Sequence, residues 1–454
     1  MKYCNNCVTP DTNPLVSFDD SGICSACQGF GDRRDVDWEA RRKDFEEVVA
    51  HAKANSKGYD CLIPVSGGKD SYWQVITCLE YGLTPLTVTW RDPMRLPLGQ
   101  KNLDNLIGIG VDHIDYSINP KVEKRFLYRS FEKYGVPGLP KHMALYNLPL
   151  RLAVQFDIPL MVWGENAAIE YGDLRDQDKG FEVDYDWLMG SRGVTQGTTA
   201  EDWIGEEFSR GDMAAYFAPS RERLEQSNLR AVYLGHYFLW DQVQNYETAR
   251  RYGFEAPDSG PGYYAFDDVD SGFISIHHFM KWYKFGYTRM FDNLSHDIRR
   301  GRISRDEALA IIRERVPEVP HDDIRAFCDF LEISVESFLR NRRRNSATRT
   351  SGRSRMAAGS SMTSSSRTGK AGKPVNMLQL SKLSLPLERA KEALNNLSFR
   401  AKREIAEGVP MRSEGPSQAS RAERGISWKD LSLRTRQGFL PLVEMTQDTY
   451  SELP

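Results

Sequence analysis

The run Cys61-Leu62-Ile63-Pro64-Val65 leads without interruption into Ser66-Gly67-Gly68-Lys69-Asp70-Ser71 and then into a helical pattern reaching Tyr81. No other stretch limits the fold so tightly. A short apolar run bounded by glycines reads as a buried strand, and two adjacent glycines permit a sharp turn with close approach of the backbone to a ligand. The free amides of the following helix start, with the helix dipole, make an anion site. Lys69 adds a positive charge, Ser66 and Ser71 add hydroxyl donors, and Asp70 is placed to help hold a magnesium ion that bridges phosphate oxygens. The spacing matches neither Gly-x-x-x-x-Gly-Lys-Ser/Thr nor Gly-x-Gly-x-x-Gly, so a P-loop NTPase and a dinucleotide-binding dehydrogenase are both disfavoured.

The flanking pattern extends this unit into a parallel sheet covered by helices on both faces. Apolar runs at Leu83 to Trp90, His113 to Tyr116, Ile158 to Trp163 and Ala231 to Tyr237 alternate with helical stretches. The helices are expected near Gln100 to Ile109 and within Lys121 to Tyr134 and Lys141 to Phe156. Five divisions follow. Residues 1–30 form a zinc-ribbon-like segment, 31–58 a connecting helix, and 59–240 the nucleotide-binding domain. Within that domain, 171–228 is too long for a simple connection and reads as a substrate-pocket insertion or lid. Residues 241–339 form a helical subdomain in which Ser304 and Glu307 make a capping box. Beyond residue 340 no acidic residue appears until Glu388, and Arg, Ser, Thr and Gly dominate. The segment 340–454 therefore reads as a disordered tail or the product of a shifted reading frame.

Composition narrows the functional classes. Of 454 residues 40% are hydrophobic and 27% charged, with a net charge of −3, which suits a globular protein and argues against a surface built wholly for nucleic acid. No apolar run reaches the roughly 18–20 residues that span a bilayer, and residues 1–20 lack the apolar core of a secretory leader. The expected location is cytoplasmic. Four of the seven cysteines stand as Cys4-x-x-Cys7 and Cys24-x-x-Cys27, a spacing that presents four thiolates to one tetrahedral ion. Structural zinc is the expected occupant, since a closed thiolate site has no open position for substrate.

Further candidates lie at strand ends, where open parallel sheets bind ligands. Glu165 and Asn166 follow the fourth strand and are candidates for nucleotide or substrate contact. His236 closes the fifth and is a candidate for polar contact or proton transfer. Lys281, Lys284 and Thr288 fall at helical spacing on one face, with His277 beside them and Arg289 just beyond. Lys284 and Arg289, with Lys69, are the expected catalytic cations, stabilising departing pyrophosphate, and Asp70 is the expected catalytic carboxylate, acting through magnesium.

The Ser66–Ser71 loop resembles the PP-loop, the Ser-Gly-Gly-x-Asp-Ser signature of the ATP pyrophosphatases. That resemblance implies an adenine-nucleotide α-hydrolase-like sheet, ATP bound by Ser66, Gly67, Gly68, Lys69, Asp70 and Ser71, and adenylation of a substrate oxygen. From Met1 to about Leu339 the chain also resembles the N-acetyl sugar amidotransferases of bacterial surface-polysaccharide and nonulosonic-acid pathways. The likeness is carried by Tyr3-Cys4-x-x-Cys7-Val8-x-Pro10-Asp11-Thr12, Phe18-Asp19-x-x-Gly22-x-Cys24-x-x-Cys27, Pro64 to Ser71, Trp163 to Asn166, Lys284 to Tyr287 and Ile298 to Ala308. It implies that an N-acetyl group of a sugar, nucleotide-linked in the expected case, becomes an acetamidino group through an adenylated imidate attacked by ammonia. It also implies separate partners, a glutaminase and a cyclase-like ammonia channel, because no glutaminase site is recognisable here. Two rival readings are a tRNA-thiolating PP-loop enzyme and a non-enzymatic nucleotide-binding subunit. The first lacks a further cysteine pair after the loop.

Overall fold

The computed structural model describes residues 2–32, 36–166, 170–172, 195–315 and 319–346. Five strands, β1 (Cys61–Pro64), β2 (Pro85–Trp90), β3 (Asp112–Tyr116), β4 (Leu160–Trp163) and β5 (Arg230–Tyr233), form one parallel sheet in the order β3-β2-β1-β4-β5. Cys61 pairs with Pro85 and Leu62 with both Leu86 and Met161, so β1 lies at the centre and the order reverses between β1 and β4. That switch point is where ligands of open α/β sheets bind. The expected adenine-nucleotide α-hydrolase-like sheet is therefore present.

Alternation along the strands sends neighbouring residues into two cores. Cys61, Ile63, Val162 and Val232 pack against α2 (Trp38–Asn55), α3 (Lys69–Glu80) and α4 (Pro97–Ile107), through Phe45, Val75, Leu103 and Leu106. Leu62, Met161, Trp163 and Tyr233 face the opposite way onto Leu148, Leu150 and Ala153 of α6 (Leu139–Gln155). α1 (Ser25–Asp32) closes the cysteine segment, and α5 (Pro120–Tyr134) precedes α6.

Beyond the sheet come the short α7 (Arg221–Glu225) and α8 (Leu234–Tyr237), then α9 (Gln242–Arg251), α10 (Ile274–Phe285), α11 (Arg289–Arg299), α12 (Arg305–Glu314), α13 (His321–Leu331) and α14 (Val335–Ser346). Helices α10 to α14 share a core with Leu127 and Phe131 of α5 and with Tyr3 and Val8. The capping box expected at Ser304 and Glu307 opens α12, the Ser304 side chain accepting from the Glu307 amide.

Three boundaries differ from those read off the sequence. The fifth strand stops at Tyr233, and Gly235-His236-Tyr237 lies in the helical turn α8, because Gly235 N–H donates to Gly164 O at 3.0 Å and bends the chain toward β4. α10 stops at Phe285, where Gly286 takes the left-handed conformation at φ 76°, so Thr288 does not continue the Lys281–Lys284 face. The helical part does not end at residue 339: α14 crosses the change in composition, with Arg342 buried over the Tyr283 ring. In the expected insertion, residues 195–228 pack Trp203, Phe208 and Tyr216 around Phe126 of α5. The expected lid over 173–194 and the expected tail beyond Ser346 lie outside the described residues.

Candidate active site

The loop between β1 and α3 is built for close approach. Gly67 has φ 85°, and a Cβ there would stand 2.8 Å from the Leu103 backbone nitrogen. Only glycine satisfies both conditions. Ser71 Oγ accepts from Ser66 N–H at 3.0 Å and Ser66 Oγ accepts from Gly68 N–H at 3.2 Å, which fixes the turn. α3 starts after Gly68 without a side-chain cap, leaving its first amides toward the loop.

Lys69 is buried, 4% exposed, between two carboxylates, at 3.0 Å from Asp70 Oδ2 and 2.9 Å from Asp267 Oδ1. Burial opposes its charge, but Asp267 and Asp70 outweigh it and hold its pKa above the ordinary lysine value. Asp70 Oδ1 in turn accepts from Trp240 Nε1 and Asn245 Nδ2, each at 2.9 Å. Asp267 Oδ2 accepts from Asn293 Nδ2 at 2.6 Å and lies 3.6 Å from Arg289 Nε. Arg289 donates to Tyr171 OH at 3.0 Å. A single charge network thus joins α3, α9, the turn before α10, and α11.

The sequence candidates divide by placement. Lys69, Asp70 and Arg289 belong to this network. Glu165 is near it: burial, and next the Asp70 charge, push its pKa up to about 7. Asn166 is buried, its backbone nitrogen 3.4 Å from where a Cβ on Gly235 would stand. His236 instead turns its ring to Arg41 of α2. Lys284 donates to the Tyr134 carbonyl at 2.9 Å, and burial lowers its pKa. The structure therefore puts Lys284 on α5 and not on the Arg289 network.

A cavity of about 230 Å³ adjoins the network, and Arg289 lines it. Trp90, Glu123, Lys141, His142, Asp268, His277, His278 and Lys281 are among its other walls. Glu123 accepts from Trp90 Nε1 at 2.7 Å, yet burial raises its pKa to about 8. Burial and the Lys141 charge lower that of His142 to about 4, so its imidazole is neutral. Lys281 is paired with Asp292 at 2.7 Å. Trp240, Asn245, Asp267, Asp268, Asn293 and His278 are polar residues of this region that pattern reading missed. The one local signal was Asp267-Asp268-x-Asp270, a run of carboxylates directly after an aromatic.

The four paired cysteines form the one group of three or more potential metal ligands found among the described residues. Cys4 Sγ lies 3.9 Å from Cys27 Sγ, and Cys7 Sγ 3.7 Å from Cys24 Sγ. A regular tetrahedron with metal–sulfur bonds of ~2.3 Å has edges of ~3.8 Å, so the donor set fits zinc. The Cys24 and Thr9 amides point at Cys4 Sγ and Cys7 Sγ, at 3.3 and 3.4 Å. For magnesium the candidate carboxylate is Asp70, whose Oδ1 meets Trp240 and Asn245 and whose Oδ2 meets Lys69, so an ion there would depend on substrate phosphates for most of its ligands.

Residues 241–356 match the family model described as "LPS biosynthesis protein WbpG-like, C-terminal domain". The match covers α9 to α14 and continues past residue 340, where the sequence reading had placed the departure from the family. No curated protein matches the chain. Among solved structures it is similar to that titled "Structure of NMN synthetase from Francisella tularensis", with 16% identity, 62% of this chain and 93% of that chain covered, and a TM-score of 0.29. At that score the fold assignment rests on the sheet order and not on the likeness. Among the described residues, no helix is long and apolar enough to cross a membrane.

Proposed function

We propose that this chain is an ATP-dependent amidotransferase of bacterial surface-polysaccharide biosynthesis, forming AMP and pyrophosphate and turning a sugar's N-acetyl group into an acetamidino group. The observation that carries the nucleotide half is the Lys69 ammonium at the mouth of the Ser66–Ser71 loop, kept charged by Asp70 and Asp267. The WbpG-like match to residues 241–356 supports the polysaccharide setting, and the 230 Å³ cavity beside Arg289 supports a small polar acceptor.

In this reading the amide oxygen attacks the α-phosphorus of ATP and pyrophosphate departs. The loop amides, Lys69 and Arg289 bear its charge, and Asp70 orients Lys69 and offers one oxygen to magnesium. When bound, magnesium neutralises phosphate charge. Cys4, Cys7, Cys24 and Cys27 hold structural zinc away from the chemistry. Ammonia comes from partner subunits, a glutaminase and a cyclase-like channel, and the working compartment is the cytoplasm. A thiolating reading gains nothing, since Cys61, Cys78 and Cys328 are all buried in the described core.

The full chain with ATP, magnesium, ammonium salt and UDP-linked N-acetylhexosamines is expected to release AMP and yield a product about one mass unit lighter. With ¹⁸O in the amide, the label is expected in AMP. Lys69→Met is expected to reduce turnover at least a hundredfold, as loss of a transition-state cation commonly does. Thiolated tRNA, or label retained in the sugar, overturns the reading.

A further inference from the structure

The cavity that Arg289 lines contains an acid–imidazole pair that the nucleotide half of the reading does not use. His278 of α10 is buried, 7% exposed, and presents Nε2 to Asp268 Oδ2 at 3.2 Å. The pair stands at ion-pair distance without a made hydrogen bond, Asp268 Oδ2 having no hydrogen-bond partner among the described residues; a small turn of the ring would direct an Nε2 N–H onto it and leave the lone pair on the other ring nitrogen. That atom, Nδ1, is also buried and has no hydrogen-bond partner among the described residues. Both residues line the cavity. An imidazole set against a carboxylate at one nitrogen, with the other unpartnered in the wall of a polar cavity, is the starting arrangement of an oriented general base, which a small ring movement would open to the cavity.

Asp268 takes φ 56°, a left-handed conformation that aspartate adopts more readily than most residues. The residue before it is Asp267, the partner of Lys69, so one turn carries both the carboxylate beside the phosphate-loop lysine and the one beside the imidazole. Asp268 stays ionised: burial opposes its charge, while His278 and Arg289 hold its pKa below the ordinary carboxylate range. The cavity is smaller than the ~300–1,000 Å³ of typical small-molecule sites. It therefore suits the acetamido side of one sugar ring and an incoming small nucleophile better than a whole nucleotide-sugar. Lys141, Lys281 and Arg289 line it together with Asp92, Asp268 and Asp292, so the cavity is polar and carries charges of both signs.

We infer that His278, oriented by Asp268, is the general base of the amidation half-reaction, an inference that rests on the function proposed above. After pyrophosphate has left, the amide oxygen is bonded to the α-phosphorus. The ammonia lone pair forms the new C–N bond as the C=N π pair of the imidate withdraws onto the amide nitrogen, and the attacking nitrogen becomes cationic. His278 Nδ1 takes one proton from it. The C–O bond then breaks, its electron pair leaving with AMP, while nitrogen lone pairs restore the double bond of the amidinium product. The imidazolium returns its proton to solvent.

The test compares wild type, His278→Gln and Asp268→Asn in the full chain with the same UDP-linked N-acetylhexosamines. Sugar-dependent exchange of labelled pyrophosphate into ATP reports adenylation and needs no nitrogen nucleophile. AMP formation with ammonium salt or with hydroxylamine reports the second half. His278→Gln is expected to keep exchange within about threefold and to lose ~10²–10⁴ in kcat with ammonia. With hydroxylamine, which is less basic and gives up its proton more readily, the expected loss is under tenfold. Asp268→Asn is expected to fall between wild type and His278→Gln. Equal losses with both nucleophiles, loss of exchange, or unchanged ammonia kinetics would overturn the assignment while leaving the proposed function in place. Absence of sugar-dependent exchange in wild type would overturn both.

Discussion

Glu123 shows how one buried carboxyl ties stability to pH. It is 3% exposed and accepts from Trp90 Nε1, and burial raises its pKa from 4.5 to about 8. Between those values the folded chain keeps a proton that the unfolded chain has lost. Folding stability contributed by this group is complete below about pH 4.5 and is lost as pH rises to about 8. Glu123→Gln keeps an acceptor for Trp90 and removes the titration. The variant is expected to melt higher than wild type at pH 8.5 and to converge with it near pH 5; thermal melts at the two pH values check this. Neither Glu123 nor the Asp268–His278 pair was legible in the sequence. A single acid in an amphipathic helix has no pattern to mark its burial, and Asp267 finds Lys69 across 198 residues. Lys69 and Asp70 were legible because the loop that carries them is built from consecutive residues, although their partners Asp267, Trp240 and Asn245 are remote in sequence.

At the scale of elements, what the chain made readable was what it builds locally. β1, the glycine turn and α3 follow from the twenty consecutive residues Cys61 to Glu80, and the sheet rhythm around them from period-2 and period-3.6 runs. Element ends were less readable because tertiary contacts decide them: β5 is cut short by the bond from Gly235 to β4, and α14 persists past its basic run because Arg342 has Tyr283 to cover. Gly67 offers the sharpest test at this scale. Gly67→Ala imposes a left-handed alanine, costing about 1–2 kcal/mol, and forces the loop off the α4 backbone. Pyrophosphate exchange is expected to fall at least tenfold with only a small drop in melting temperature, since the sheet core is untouched. A full loss of folding would show instead that the turn is a packing element.

Across the whole molecule, the cysteine cluster is joined to distant chain. Arg305 donates to the carbonyls of Cys4 and Cys7, each at 3.1 Å, Thr9 Oγ1 and Ser295 Oγ lie 3.2 Å apart, and Thr12 donates to the Phe285 carbonyl. Ser295 belongs to α11, the helix that begins with Arg289. Chelation of the metal, or Cys24→Ser, is therefore expected to lower the melting temperature by at least ~10 °C, as loss of several kcal/mol would, and to weaken ATP use with it. Metal analysis and calorimetry check this, with one zinc per chain expected in the intact protein. The same clasp sets an order of events during synthesis. Thr9 and Ser295 are 286 residues apart, and at roughly 5–20 residues per second the first must wait about 15–60 s for the second. For that interval the thiols leave the ribosome without the surface that later buries them, and an ion captured early would shield them from oxidation until their docking helix arrives.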